Sequence, residues 1–193
     1  MDDFIASIYY FKDPGPQNTE RTLELSKRRA AELKLKNILV ASTTGKTGVL
    51  ASKIFKGYNL IVVSHSTGFA KPDYQEMTEE NRKKILKEGA KILTCQHAFG
   101  GVGRAVRKKF GTYETEEIIA NALRILGEGF KVACEITLMT ADAGLIRTDE
   151  KAIAIGGTDR GADTAIVVLP SNSQTFFDMK VFEIICKPLA PRF

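Results

Sequence analysis

The clearest chemistry in the chain lies in Val40-Ala-Ser-Thr-Thr-Gly-Lys-Thr47, where an apolar run turns through a glycine into a stretch that reads as a helix. Free backbone N–H groups at such a helix start face outward, and the helix dipole favours an anion beside them. The hydroxyls of Ser42, Thr43, Thr44 and Thr47 add polar contacts, Gly45 allows the bend, and Lys46 adds a positive charge suited to phosphate. A plain helix cap would account for the hydroxyl residues alone. Four hydroxyl residues, two glycines and a lysine between Ser42 and Gly48 exceed what a cap requires. The segment resembles the second half of a nucleotide-binding Gly-Lys-Thr loop, yet Val40 stands where that motif needs its first glycine. No strand ends in an acidic residue placed to hold magnesium, so nucleoside triphosphate hydrolysis is not expected.

A second loop, Gly156-Gly-Thr-Asp-Arg-Gly-Ala-Asp163, offers an arginine fork beside a threonine hydroxyl. It reads either as a hairpin turn or as a partner of the first loop. If strands 37–41 and 152–156 are neighbours, Thr158 and Arg160 face the same crevice and complete contacts to phosphate or sugar. His65 and His97, the two histidines of the chain, each follow a predicted strand. They suit the rim of that crevice as hydrogen-bond partners or as a general base, while two histidines without a matching carboxylate or thiol make a poor zinc site. Glu135 and Asp142 lie seven apart in a mostly apolar helix, about 10 Å along its axis and too far to share a metal. Glu135 must pair with a lysine or arginine or face a ligand cavity; Asp142, before Ala143-Gly144, fits a helix end. Gly101-Val-Gly103 imitates a dinucleotide fingerprint, but Val106 replaces its third glycine.

Alternating strands and helices must position these groups. Apolar runs predict strands over 4–10, 37–41, 58–64, 91–94, 152–156, 165–169 and 181–186. Helical spacing predicts a helix from Asn18-Thr19 to about Leu33, with Leu23, Ala30 and Leu33 inward. Further helices are expected to Phe55, from Thr78 to Glu88 with Gly89 beyond it, over 114–126 and over 130–145. In the fourth of these, Ile118, Ile119, Ala122, Leu123 and Leu126 form the expected apolar stripe. Such alternation implies one α/β domain over 1–193, with a mainly parallel sheet covered on both faces. Ligands in such folds sit beyond the carboxyl ends of the strands, where the strand order reverses.

Composition sets the outer bounds. The 193 residues carry a net charge of +5 and 44% hydrophobic residues, with no apolar run long enough to span a membrane. Met1-Asp2-Asp3 lacks the basic start of a secretory signal. Cys95, Cys134 and Cys186 are odd in number and widely spaced, which suits reduced thiols and a cytoplasmic location. The basic run Arg104-Ala-Val-Arg-Lys-Lys109 has no interleaved aromatics and reads as a solvated helix face, so nucleic acid is not the expected partner.

These segments together resemble a family of archaeal proteins, mostly uncharacterised, that is related to the C-terminal domain of pyruvate kinase. The likeness rests on Tyr10-Phe11, Pro14-Gly15, Asn18-Thr19, Ala41-Ser-Thr-Thr-Gly-Lys-Thr47, Gly68-Phe69 and His97-Ala98. It continues through Lys131-Val-Ala-Cys-Glu-Ile136, Met139-Thr-Ala-Asp-Ala-Gly-Leu-Ile146 and Gly156 to Asp163, with Thr140 where the family has alanine. The resemblance implies a three-layer α/β/α sandwich, with antiparallel strands at the C-terminal end and the first and fourth core strands adjacent. In pyruvate kinase this domain binds a phosphorylated sugar through a similar loop, and the stand-alone proteins look like flavin mononucleotide (FMN) binders. Nothing in these residues matches the kinase's catalytic barrel, so kinase activity is not part of the expectation. The expected function is therefore binding of a small phosphorylated ligand, FMN foremost. The expected contacts are Ser42, Thr43, Thr44, Gly45, Lys46, Thr47, His65, His97, Thr158 and Arg160. The alternatives are an enzyme using that ligand, a flavin oxidoreductase or phosphosugar-handling protein relying on Glu135, His97 or Asp142, and a module that self-associates as a homo-oligomer.

Overall fold

The structure, a computed structural model, describes residues 5–190. In chain order its elements are β1 (Tyr9–Phe11), α1 (Thr19–Glu32), β2 (Asn37–Ala41), α2 (Lys46–Ile54), β3 (Asn59–Ser64), α3 (Glu79–Lys87) and β4 (Lys91–Thr94). They continue with α4 (Val102–Phe110), α5 (Thr115–Leu123), α6 (Glu128–Asp142), β5 (Ala152–Gly156), β6 (Thr164–Leu169) and β7 (Lys180–Pro188). The strands form a seven-stranded sheet in the order β1-β7-β6-β5-β2-β3-β4. The pairs β5–β2, β2–β3, β3–β4 and β1–β7 are parallel, and β6 runs antiparallel to both of its neighbours.

The central strands are apolar on both faces because both faces are covered. Ile38, Val40, Leu60, Val62, Ile153 and Ile155 point to one side and pack with Leu23, Ala30, Ala51, Phe55 and Ile85 from α1, α2 and their surroundings. Leu39, Ile61, Val63, Ala154 and Ile166 point to the other and pack with Phe130, Ala133, Cys134, Ile136 and Leu138 of α6. The result is an α/β/α sandwich. Chain order turns outward on either side of the β2–β5 pair, so the connections leaving these two strands part there. A ligand site belongs at that opening.

Several expectations need correction. The strand expected over 4–10 is reduced to Tyr9–Phe11, and Phe4 lies outside the described residues. Residues 5–8 instead line a groove together with Arg29 and Glu183, which pair at 2.8 Å. Asn18 does sit at the start of α1, but its side chain donates to the Asp13 carbonyl (2.8 Å) rather than capping the helix. The stripe expected in α5 is only partly inward: Ile119 and Leu123 pack against the α6 side of the core, while Ile118 is 59% and Leu126 42% exposed. Its buried residues are Ala120 and Glu117, because Glu117 turns inward to meet Arg107 at 3.0 Å. No helix of the described residues is long and apolar enough to cross a membrane.

Close approach of α6 to the sheet depends on glycine at the end of β5. A Cβ on Gly156 would fall 2.3 Å from the Gly129 carbonyl oxygen and 3.0 Å from the Ala133 nitrogen, both backbone atoms. Backbone cannot yield as a side-chain tip can. Gly156→Ala is therefore expected to push α6 off the strand and cost about 3 kcal/mol, at the upper end for overpacking, measured by urea unfolding.

Candidate functional site

β2 hands the chain to its first loop in a set order of hydrogen bonds. The Ser42 N–H still donates to the Val63 carbonyl at 2.8 Å. The Ser42 hydroxyl then turns forward and accepts the Gly48 N–H at 3.0 Å, closing the loop onto the first turn of α2. Gly45 has φ +89°, and a Cβ there would meet the Asn81 Cβ at 2.6 Å, so both backbone and space demand glycine. Behind the loop, the Thr44 carbonyl accepts from the Asn81 amide at 2.9 Å and from the Thr78 N–H at 3.4 Å. These anchors use one hydroxyl and one carbonyl. The N–H groups of residues 43–47 have no hydrogen-bond partner among the described residues.

Beside them lies a cavity of about 960 Å³. Thr43, Thr44, Lys46 and Thr47 line it from the β2 end, and Asp159, Arg160 and Gly161 from the β5 end. The second loop is held from behind by Asp163, a fully buried carboxylate. Its Oδ2 accepts the N–H groups of Gly15 (3.0 Å) and Thr158 (3.2 Å), and its Oδ1 accepts the Thr164 hydroxyl (2.9 Å). Thr19 adds a strut, accepting the Ala162 N–H at 3.0 Å while its hydroxyl donates to the Pro16 carbonyl at 2.7 Å. Charge buried without a counter-ion is tolerable when donors satisfy it in this way.

The far wall comes from α6 and from the ends of β3 and β4. Val132, Ile136 and Met139 give it an apolar surface. Glu135 and Lys131, four residues apart on one face of α6, pair at 3.2 Å, and Lys131 also meets Glu128 at 3.1 Å. Glu135 further accepts the Phe99 N–H at 3.1 Å and faces His97 Nδ1 at 3.7 Å. Burial alone would raise the Glu135 pKa, but His97, Lys131 and the Phe99 amide together hold it down to about 2. His65 Nδ1 lies 2.7 Å from Glu76, and its Nε2 is 3.4 Å from the Thr43 hydroxyl. Burial lowers the His65 pKa despite that carboxylate, favouring the neutral ring. Phe69 and Arg104 close this side of the cavity.

Most of the expected residues meet here. Ser42, Thr43, Thr44, Lys46, Thr47, His65, His97 and Arg160 all line one cavity. Gly45 shapes the loop from behind. Thr158 does not line the cavity; its N–H serves Asp163 instead. Glu135 does both things expected of it as alternatives, pairing with a lysine and lining the cavity. Asp142 stands apart, accepting from the Asn172 amide and from the N–H and hydroxyl of Ser173. Sequence reasoning passed over Phe69, Arg104, Arg124, Glu128 and Lys131 as site residues. The Glu128, Lys131, Glu135 spacing on an apolar helix was a usable signal for two of them. Arg104 sat unnoticed in a basic run whose Arg107 proves to be paired with Glu117. Among the described residues, no three His, Cys, Asp or Glu side chains are placed to hold a metal.

The buried pair on α6 makes acid stability diagnostic. Glu135 has its pKa depressed from 4.5 to about 2, so its stabilisation is present above pH 4.5 and fades as pH falls towards 2. Replacing it with glutamine leaves Lys131 buried with Glu128 as its remaining carboxylate partner. Glu135→Gln is expected to cost about 3 kcal/mol near neutral pH. The loss should shrink at pH 2.5, read from denaturant midpoints at both pH values.

Comparison with known proteins agrees with this architecture. The family model for the alpha/beta domain of pyruvate kinase matches residues 20–168. Among solved structures, Cryptosporidium parvum pyruvate kinase aligns at 17% identity with a TM-score of 0.39, covering 79% of this chain and 22% of that one. The same organism's enzyme in complex with ADP aligns at 17% identity and TM-score 0.38, covering 84% of this chain and 23% of that one. The chain thus spans less than a quarter of the length of these kinases. With residues 20–168 matched and the sheet, loops and helices disposed as described, this chain belongs to the pyruvate kinase alpha/beta domain family.

Proposed function

We propose that the chain binds a small phosphate-bearing ligand at the carboxyl edge of its sheet, with FMN as the first candidate. The observation that supports this is the row of unpartnered N–H groups from 43 to 47 bordering the 960 Å³ cavity. Sites for small ligands run from about 300 to 1,000 Å³, so there is room for more than phosphate. The loop amides and the Thr43, Thr44 and Thr47 hydroxyls hold the phosphate, and Lys46 and Arg160 neutralise it. Val132, Ile136 and Met139 offer an apolar bed for a ring system. FMN would supply a redox-active isoalloxazine; these residues would bind it, orient it and keep its phosphate charged. The chain's three free cysteines, two of them buried, suit the cytoplasm, and the Met139–Ile146 and Gly156–Asp163 segments support placing the chain in the archaeal branch of the family.

A reaction on the bound ligand is the second reading, supported by the Glu135–His97 pair on the cavity wall. Asp142 drops out of that reading because Ser173 and Asn172 occupy it.

The test is calorimetric titration with FMN, riboflavin and inorganic phosphate. FMN is expected to bind at least about a hundredfold more tightly than riboflavin, which lacks the phosphate and its charged hydrogen bonds. Lys46→Ala is expected to weaken FMN about tenfold, equivalent to ~1.4 kcal/mol. Equal affinity for FMN and riboflavin, or no binding of either FMN or phosphate, would remove the proposal.

A further inference from the structure

His97 carries a buried polar atom that the fold leaves unsatisfied. The residue is 9% exposed, and its Nε2 has no hydrogen-bond partner among the described residues. The other ring nitrogen faces the Glu135 carboxylate, which Phe99 N–H and Lys131 already hold in place. That contact engages the Nδ1 side of the ring, so Nε2 is the ring nitrogen left for a partner from outside the fold. A buried polar atom without a partner is costly, and most native polar atoms avoid that state. Glu117 Oε2 is the other such side-chain atom among the described residues, and Glu117 does not line this cavity.

Phe69 lies against this imidazole. The two rings are stacked, with centroids 4.9 Å apart and planes 20° from parallel. The Arg104 guanidinium carbon sits 4.6 Å from the Phe69 centroid, and His65 is 4.1 Å from it, centroid to centroid. Phe69 arrives on the connection between β3 and α3, where residues 67–74 are all exposed, and it is the one member of that arc lining the cavity. The surroundings are those that suit a flat π-system: an imidazole face, a guanidinium and a second ring. A phenyl ring fills the space but offers Nε2 no hydrogen bond.

We propose that this is an aromatic subsite, in which the planar heteroaromatic ring of a phosphorylated ligand takes the place of Phe69 beside His97 and brings a hydrogen-bonding nitrogen or oxygen to Nε2. The inference rests on the phosphate-loop reading and narrows it: the ligand class becomes a phosphate ester of a heteroaromatic ring rather than a plain sugar phosphate. Phe69 then competes with ligand, and its removal favours binding. Glu135 is the positioning residue that holds the imidazole by its Nδ1 side, with Nε2 left unpartnered.

The experiment titrates the intact chain and its Phe69→Ala variant with FMN, ribose 5-phosphate and inorganic phosphate, and follows the imidazole nitrogens of the two histidines by NMR in the unmodified chain. Phe69→Ala is expected to bind FMN about fivefold more tightly, because the self-occluded population is lost, with inorganic phosphate unchanged. FMN, but neither ringless phosphate, is expected to move the His97 Nε2 resonance. Weaker FMN binding in Phe69→Ala, an unmoved Nε2 in the FMN complex, or FMN binding no tighter than ribose 5-phosphate overturns the subsite while leaving the loop intact. Failure of all three ligands to bind removes the loop reading and this inference with it.

Discussion

Main-chain N–H groups buried or half-buried without a partner are rare in proteins, since each one costs free energy that a hydrogen bond would recover. The loop after β2 keeps a row of them open, and much of its construction serves that end. Ser42 commits its hydroxyl to Gly48, fixing the first turn of α2 without occupying residues 43–47. Asn81 and Thr78 hold the Thr44 carbonyl from behind, and Gly45 adopts the left-handed bend that turns the intervening amides forward. Opposite them, Asp163 and Thr19 stiffen the second loop, so both rims of the opening are fixed before any ligand arrives. Preorganisation of this kind lowers the ordering cost of binding.

The far side of the cavity follows a different physical logic. α6 buries twelve of its fifteen residues, yet two of the twelve, Lys131 and Glu135, are charged. Replacing such a pair by apolar residues is often neutral or stabilising, so its retention calls for another reason. Glu135 answers part of that need by standing behind His97, and Lys131 keeps Glu135 ionised. The buried pair therefore shapes the wall that a ligand meets as well as holding a helix to a sheet.

Much of the fold was legible in the sequence for simple reasons. Asn37–Ala41 and Ala152–Gly156 emerge at their expected limits because short apolar runs buried on both faces leave few alternatives. Thr78 and Gly89 bracket α3 through side-chain capping and a positive φ, both local effects. The misses depended on partners distant in sequence. Residues 5–8 have strand composition but meet a groove beside the Arg29–Glu183 pair rather than a neighbouring strand. The α5 stripe was periodic, yet only Ile119 and Leu123 of it pack inward, since Glu117 and Ala120 take the most buried positions and Glu117 meets Arg107. At the site, the residues after strand ends were found because topology places them, whereas Arg104 and Phe69 reach the cavity through tertiary packing that no local pattern encodes.

The central claim is that the amides of residues 43–47 grip the phosphate of a ligand. The most direct measurement is the ¹⁵N–¹H spectrum of the chain during titration with FMN. The account predicts large downfield proton shifts concentrated at residues 43–47, as expected when free N–H groups donate to an oxyanion. Binding that leaves these five amides unmoved, with shifts centred elsewhere, would contradict it.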